Sequence, residues 1–300
     1  MASSEVEILD DYLFKYKGYV FIRDEVQPEY IDSLENFEIR DSDVFLVTYP
    51  KSGTVWTQNI VTMLYESELP PAPPTSDTTF QRMPWLEYIQ KDQDIINRPS
   101  PRLFASHLGH YLMPQGVKDK QIKVIYVSRN PKDVLVSYYH FAKIMAKLET
   151  PKDFDDMLDR FEEGRVICGS WFDHVCGWYN HRDDFNILFL TYEEMIKDLR
   201  AAVVKISQFL GKTLDAATID HVVEKATFGN MKSDPRANYD FLPEDVMDKR
   251  QGAFLRKGTV GDWKNTFTVA QSERFDQIFR EKMKGLPVQY SWDISEIKQA

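Results

Sequence analysis

The stretch that most constrains this chain is Thr48-Tyr49-Pro50-Lys51-Ser52-Gly53-Thr54-Val55-Trp56. An apolar run, Val44 to Val47, leads into it and an amphipathic run, Trp56 to Tyr65, leaves it. Strand, tight turn and helix in that order are the βα unit from which parallel sheets are built. The first N–H groups of a helix have no partner within it and point outward, so a turn of Lys, Ser, Gly and Thr at that junction is an oxyanion cradle. The nucleotide-triphosphate form of such a loop, G-x-x-x-x-G-K-[ST], has glycine before lysine. Here the lysine comes first.

Two further junctions repeat the pattern. Val124 to Val127 feeds Ser128-Arg129-Asn130-Pro131 and a helix through Phe141. Ile187 to Leu190 reaches Thr191-Tyr192-Glu193 and a helix marked by Ile196, Leu199, Val203, Ile206 and Leu210, which Gly211 is placed to end. The expected fold class is α/β, one domain over residues 1–300, with a central, mainly parallel sheet flanked by helices and a P-loop-like anion turn. Residues 1–16 are expected to be flexible. Parallel strands deliver their carboxyl ends to one edge, which brings Lys51, Arg129 and Tyr192 together in the crevice where such sheets bind ligands. Leu69 to Pro74 reads as a surface loop, Thr79 to Tyr88 as an aromatic border to a pocket, and Phe154 to Gly164 as an amphipathic helix with its stop. Thr268-Val269-Ala270-Gln271 is a capping box for a last helix.

A net charge of −10 argues against a general nucleic-acid or anionic-membrane surface, so anions have to be gathered locally. Hydrophobic residues at 43% supply both a core and an apolar pocket. Two cysteines, Cys168 and Cys176, are too few to staple a secreted fold of 300 residues. Met1 to Phe14 lacks the features of a signal peptide, and no run approaches the roughly 18 apolar residues of a membrane span. A cytoplasmic protein in a reducing compartment is expected. Cys168, His174 and Cys176 match no zinc spacing and read as helix packing, with no metal.

Lys51 is placed to neutralise a phosphate and then the charge that develops on a leaving oxygen. Trp56 reads equally as a core anchor or as a face on which a base stacks. Arg129 and Ser137 suit a second phosphate, with an Arg129–Asp133 ion pair as the structural alternative. Arg256, Lys257, Gly258 and Gly261 form a basic, glycine-rich turn in which backbone N–H groups approach an anion closely. Among the histidines, His107, His110 and His140 are equivalent candidates for a base.

Together, Tyr-Pro-Lys-Ser-Gly-Thr-x-Trp at residues 49–56, Arg-Asn-Pro-Lys-Asp at 129–133 and Arg-Lys-Gly-x-x-Gly-Asp-Trp-Lys at 256–264 resemble the cytosolic sulfotransferase family. The resemblance runs from about residue 17 to about residue 287. It implies transfer of the sulfuryl group of 3′-phosphoadenosine 5′-phosphosulfate to a small acceptor by in-line displacement, without a metal. By motif position Lys51, Ser52, Gly53, Thr54, Val55 and Trp56 hold the 5′-phosphosulfate side and the adenine. Arg129, Ser137, Arg256, Lys257 and Gly258 hold the 3′-phosphate. Tyr192, Thr227, Phe228, Met231, Phe254 and Leu255 complete the cofactor site. The resemblance makes His107 the base, with Ser137 positioning Lys51, and makes Phe80, Met83, Trp85, Phe141, Tyr239 and Phe241 pocket or gate residues beside it. Lys264, Thr268, Val269 and Glu273 match its dimer motif, which implies a homodimer.

Two departures matter. Phenol-type members carry Lys-Thr-His-Leu-Pro where this chain has Ala105-Ser106-His107-Leu108-Gly109, so a second lysine is missing and the stretch looks more like the hydroxysteroid and amine branches. Val55 replaces a threonine of the anion turn, which removes a hydroxyl but no backbone donor. Steroid, phenol and amine acceptors all stay open. The rival readings are a P-loop nucleotide kinase and a nucleotide-binding homologue with weak catalysis.

Overall fold

The computed structural model describes residues 5–71, 77–88 and 94–298. Its centre is a four-stranded parallel sheet built from β4 (Val44–Thr48), β5 (Leu103–Ser106), β6 (Lys123–Ser128) and β7 (Asn186–Thr191), in the order β5-β4-β6-β7. It is preceded by a small antiparallel sheet of β1 (Glu7–Ile8), β2 (Leu13–Tyr16) and β3 (Tyr19–Ile22). Part of the segment expected to be flexible thus pairs in β1 and β2.

β4 and β6 are central and apolar at nearly every position because helices cover both faces of the sheet. Alternation sorts their side chains into two layers. Phe45, Val47, Val124 and Tyr126 face Phe161, Trp171, Trp178 and Phe275. Val44, Leu46, Ile125 and Val127 face Ile60, Val61, Val203 and Ile206. The register pairs Thr48 with Val127 and Ser128 with Thr191, so three strands end at the same edge. The connection from β4 runs toward β5 and that from β6 toward β7. The crevice therefore opens between the ends of β4 and β6, where the Lys51 and Arg129 turns lie.

The three expected strands are present, each longer by one or two residues. β5 was not expected: Leu-Phe-Ala-Ser is short, and it becomes a strand through its parallel pairing with β4. The segment Pro84-Trp85-Leu86 hydrogen-bonds to Ala105 and covers that edge. The single helix expected after β7 is two, Tyr192–Lys197 and Leu199–Leu210. The break is at Asp198, whose extended φ of −147° lets its carboxylate cap Ala201 N at 2.8 Å. Gly211 ends the second helix with φ +76°, as expected. The capping box at Thr268 forms, as does the helix Phe154–Glu162. Of the expected loop from Leu69 to Pro74, residues 72–74 lie outside the described residues.

Candidate active site

Tyr49 anchors the turn after β4: it is fully buried and its hydroxyl donates to Gly169 O at 2.8 Å. The chain then reverses through left-handed conformations at Lys51 (φ +67°) and Gly53 (φ +104°). Glycine is required at the second of these, since a Cβ there would lie 2.9 Å from Tyr192 Cδ2. The helix Thr54–Leu64 starts at once and has no side-chain cap at Gly53. Thr57 N makes the first bond, to Gly53 O, so the N–H groups of Thr54, Val55 and Trp56 precede the helical ladder. Lys51 Nζ lies 4.2 Å from each of the Phe141 and Phe254 ring centroids. Burial, followed by the positive charges of Arg129 and Arg256, pulls its pKa from 10.5 down to about 7.

Arg129, at the end of β6, is held between loops. Its guanidinium donates to Lys51 O at 3.1 Å and Thr259 O at 2.9 Å, and lies 4.2 Å from the centroid of the Tyr192 ring. The structural alternative fails, because Asp133 accepts from Gly261 N, Trp263 N and Asn130 Nδ2 instead. Arg256 Nη2 and Lys257 Nζ each sit 2.5 Å from a carboxylate oxygen of Asp262, whose pKa falls well below the usual range. Arg129 Nε, a buried polar atom without a partner, lies in the same region as these cations. With the open helix N–H groups they form a donor set suited to an anionic group.

His107 follows β5, and its ring is oriented through β4. Nδ1 lies 2.7 Å from the Thr48 carbonyl oxygen, an acceptor only, so Nδ1 carries the proton and Nε2 keeps its lone pair. The histidine backbone is held just as firmly. Its N–H donates to Glu87 Oε1 at 2.8 Å, and its carbonyl accepts from His174 Nε2 at 2.8 Å and from the Tyr19 hydroxyl. Burial is the first cause of a pKa lowered to about 3, so the imidazole is neutral across the physiological range. Glu87 is itself buried, which raises its pKa to about 7. Sequence reasoning missed Glu87, Tyr19 and the role of His174. Each comes from a remote segment, and no local pattern links them to His107.

These elements enclose a cavity of about 590 Å³. Lys51, Gly53, Thr54, Val55 and Trp56 line it, with Arg129, Ser137 and Tyr192. So do Thr227, Phe228, Met231, Phe254, Leu255, Arg256, Lys257 and Gly258. Phe80, Trp85, His107, Phe141 and Tyr239 line it as well. Of the three histidine candidates, only His107 lines it; His110 stacks on His181 at 3.8 Å, and His140 packs beside Tyr139.

Three expectations need correction. Met83 is fully buried in the layer that holds Ile60 and Trp85 and does not line the cavity, because its helix ends by turning it into the core. Phe241 is 39% exposed, does not line the cavity and packs against Phe80 and Tyr239. Ser52 is fully buried, its N–H tied to Tyr49 O, so the cradle is built around it and not from its surface. Trp56 is anchored by packing at 5.2 Å on Tyr192 and by donating to Ala226 O at 2.8 Å, and it also lines the cavity. Ser137 lies one helical turn before Phe141, while Lys51 rests on aromatic faces. Ala105 is fully buried among Val44, Leu46 and Met83, so no second cation stands beside His107 from that strand.

Comparison with known proteins gives concordant results. The family model described as "Sulfotransferase domain" matches residues 41–287. The chain is 50% identical to an amine sulfotransferase of Oryctolagus cuniculus over 287 residues, covering 95% of each chain. It is 45% identical to sulfotransferase 2B1 of Mus musculus, covering 94% of this chain and 83% of that one. Among solved structures, mouse sulfotransferase SULT7A1 complexed with PAP superposes with a TM-score of 0.76 at 34% identity, covering 91% of this chain and 94% of that one. A retinol dehydratase in complex with retinol and PAP gives 0.78 at 26% identity, with 93% and 92% covered.

Proposed function

The chain belongs to the sulfotransferase family, and from that premise we propose how its own residues carry out the transfer. It is a sulfotransferase that uses 3′-phosphoadenosine 5′-phosphosulfate, which supplies the sulfuryl group when bound, and it acts on a hydroxyl or amine of a small acceptor. The N–H groups of Thr54, Val55 and Trp56, with Lys51, hold the 5′ end. Arg129, Ser137, Arg256, Lys257 and Gly258 hold the 3′-phosphate. Trp56, Tyr192, Thr227, Phe228 and Met231 border the base. The acceptor lies against Phe80, Trp85, Phe141 and Tyr239.

The observation that carries the reading is the tautomer of His107, an unprotonated Nε2 in the same cavity as a cluster of cations. His107 takes the acceptor's proton as the acceptor attacks in line. Lys51 and the helix N–H groups hold the charge that grows on the departing phosphate, and with Ala105 in place of a second lysine they do so without help from β5. A nucleotide kinase is disfavoured by the order of lysine and glycine in the turn and by the family assignment. The acceptor class is read as hydroxysteroid- or amine-like, in keeping with relatives named for such activities.

The domain is taken as one unit over the chain, and the protein as a cytoplasmic homodimer. No helix among the described residues is long and apolar enough to cross a membrane. Val269 is apolar yet 75% exposed, between Lys264 and Glu273, which supports a contact between copies at that motif. The test of the catalytic assignment is His107→Ala. Transfer of labelled sulfate to steroid, phenol and amine acceptors falls by roughly 10²–10⁴-fold, while adenosine 3′,5′-bisphosphate still binds. Near-normal turnover in this variant removes the proposed base.

A further inference from the structure

The cavity is chemically two-sided. Lys51, Arg129, Arg256 and Lys257 crowd the cofactor wall, while Ile22, Trp85, Met145, Leu242 and Val246 make the rest apolar. Two carboxylates reach this lining. Asp262 is already engaged by Arg256 and Lys257. The other, Glu25, stands on the apolar side in the turn after β3, with Oε1 3.3 Å from Nζ of Lys147, itself a lining residue. Each of these two side chains keeps 41% exposure, so water screens the pair and its separation costs little. Aromatic rings lead from the same lining to the base: the Tyr88 ring packs 6.1 Å from Trp85, and Trp85 lies 4.4 Å from His107.

We infer that Glu25 is a specificity-determining residue that receives a protonated nitrogen of the acceptor, distal to the reacting group and in place of Lys147. The acceptors this selects are amphipathic organic cations: an apolar body against Trp85 and Met145, a nucleophile at His107, and an ammonium at the mouth. The inference rests on the sulfotransferase reading. A nitrogen held as ammonium has no lone pair with which to attack, so the charge at Glu25 is a recognition element separate from the nucleophile. Lys147 offers the opposite charge, but an anionic acceptor meets the anionic cofactor and a protein of net charge −10. A cation is attracted by both.

The experiment uses the full chain saturated with adenosine 3′,5′-bisphosphate. Binding of 4-(aminoalkyl)phenols of graded chain length is compared by calorimetry with 4-alkylphenols and (4-hydroxyphenyl)alkanoates of equal length. Labelled-sulfate transfer to the same compounds is measured separately. At the matching length the ammonium compound binds roughly fivefold tighter than its neutral counterpart, the worth of a half-exposed ion pair. Glu25→Gln brings that binding ratio to about one and, in the transfer assay, raises KM for the ammonium compound with kcat level; Lys147→Met increases the ratio. An unchanged ratio in Glu25→Gln, or a preference for the carboxylates, overturns the inference. Ammonium preference in binding with no sulfate transferred to any acceptor overturns the sulfotransferase reading instead.

Discussion

With Lys51 in the role proposed for it, nucleotide binding should depend on pH in a way that an ordinary lysine would not produce. Burial, followed by Arg129 and Arg256, lowers its pKa from 10.5 to about 7. A phosphate beside it favours the ammonium and returns the value toward or above the ordinary one. Below about pH 7 the charge is present in both free and bound protein and costs binding nothing. Above it the free protein is neutral at Lys51, and binding has to take up a proton, so the dissociation constant grows about tenfold per pH unit. Counting the half-protonated state at the start, affinity for adenosine 3′,5′-bisphosphate falls on the order of 50-fold between about pH 7 and about pH 9. At the acid side the ligand's own phosphates protonate near about pH 6, so affinity peaks in the narrow interval between. Titration calorimetry in buffers of different ionisation enthalpy reads the coupling directly, as uptake of about half a proton at about pH 7 that approaches one at higher pH. Lys51→Arg, charged throughout, flattens the alkaline limb. A wild-type curve as flat as that of Lys51→Arg over this interval, or proton release on binding, refutes the reasoning.

Two further predictions concern groups outside the reaction. Glu193 is buried, with Oε1 accepting from Asn130 N and Nδ2 and Oε2 without a partner, and burial raises its pKa from 4.5 to about 7. The unfolded chain releases this proton first, so stability is full below the unfolded pKa and declines by roughly 3 kcal/mol as pH rises through the folded one. Glu193→Gln removes that slope, whatever constant cost its amide adds. Denaturant midpoints measured on either side of the interval check this, and parallel curves for the two proteins would falsify it. Gly258 has φ +63°, and a Cβ there would lie 2.2 Å from Phe228 Cδ2. Gly258→Ala therefore costs roughly 1–3 kcal/mol in melting experiments and weakens nucleotide binding as Phe228 is displaced. Unchanged melting and affinity contradict the packing argument.

The parts of the fold that the sequence revealed are those whose cause is local. β4, β6 and β7 stand out as apolar runs that lead into caps, and the rule that parallel strands end together places Lys51, Arg129 and Tyr192 at one edge. β5 stays hidden because Leu103-Phe104-Ala105-Ser106 is extended by its neighbour and not by its own composition. The β2–β3 hairpin turns at Lys17 and Gly18, both with positive φ, and a lysine at the first position conceals a turn that Asn-Gly would announce. Residue spacing left His107 level with His110 and His140. What separates them is the Thr48 carbonyl on the adjacent strand, together with support from Glu87, Tyr19 and His174, contacts made only when the strands pair. Glu25 and Lys147 escaped notice for the same reason, since turns after β3 and after the helix Pro131–Ile144 meet only in the folded chain.

The lowered pKa of Lys51 also separates binding from chemistry. Burial, and then the neighbouring Arg129 and Arg256, favour the neutral form of this amine. On the proposed assignment the phosphate supplies the counter-charge, so the ammonium would be present where the leaving group needs it. Once formed, it is held by that phosphate, and its titration moves well above the pH at which the free group changes charge. The alkaline limb should therefore appear in the dissociation constant and in kcat/KM, with kcat level over the same interval. With Ala105 buried in the neighbouring strand, no second amine compensates when Lys51 is replaced. Lys51→Met should lower kcat as well as affinity, whereas Arg256→Ala should act through affinity alone. A kcat that falls in step with affinity above about pH 7 in the unaltered protein would mean that the bound phosphate does not restore the charge.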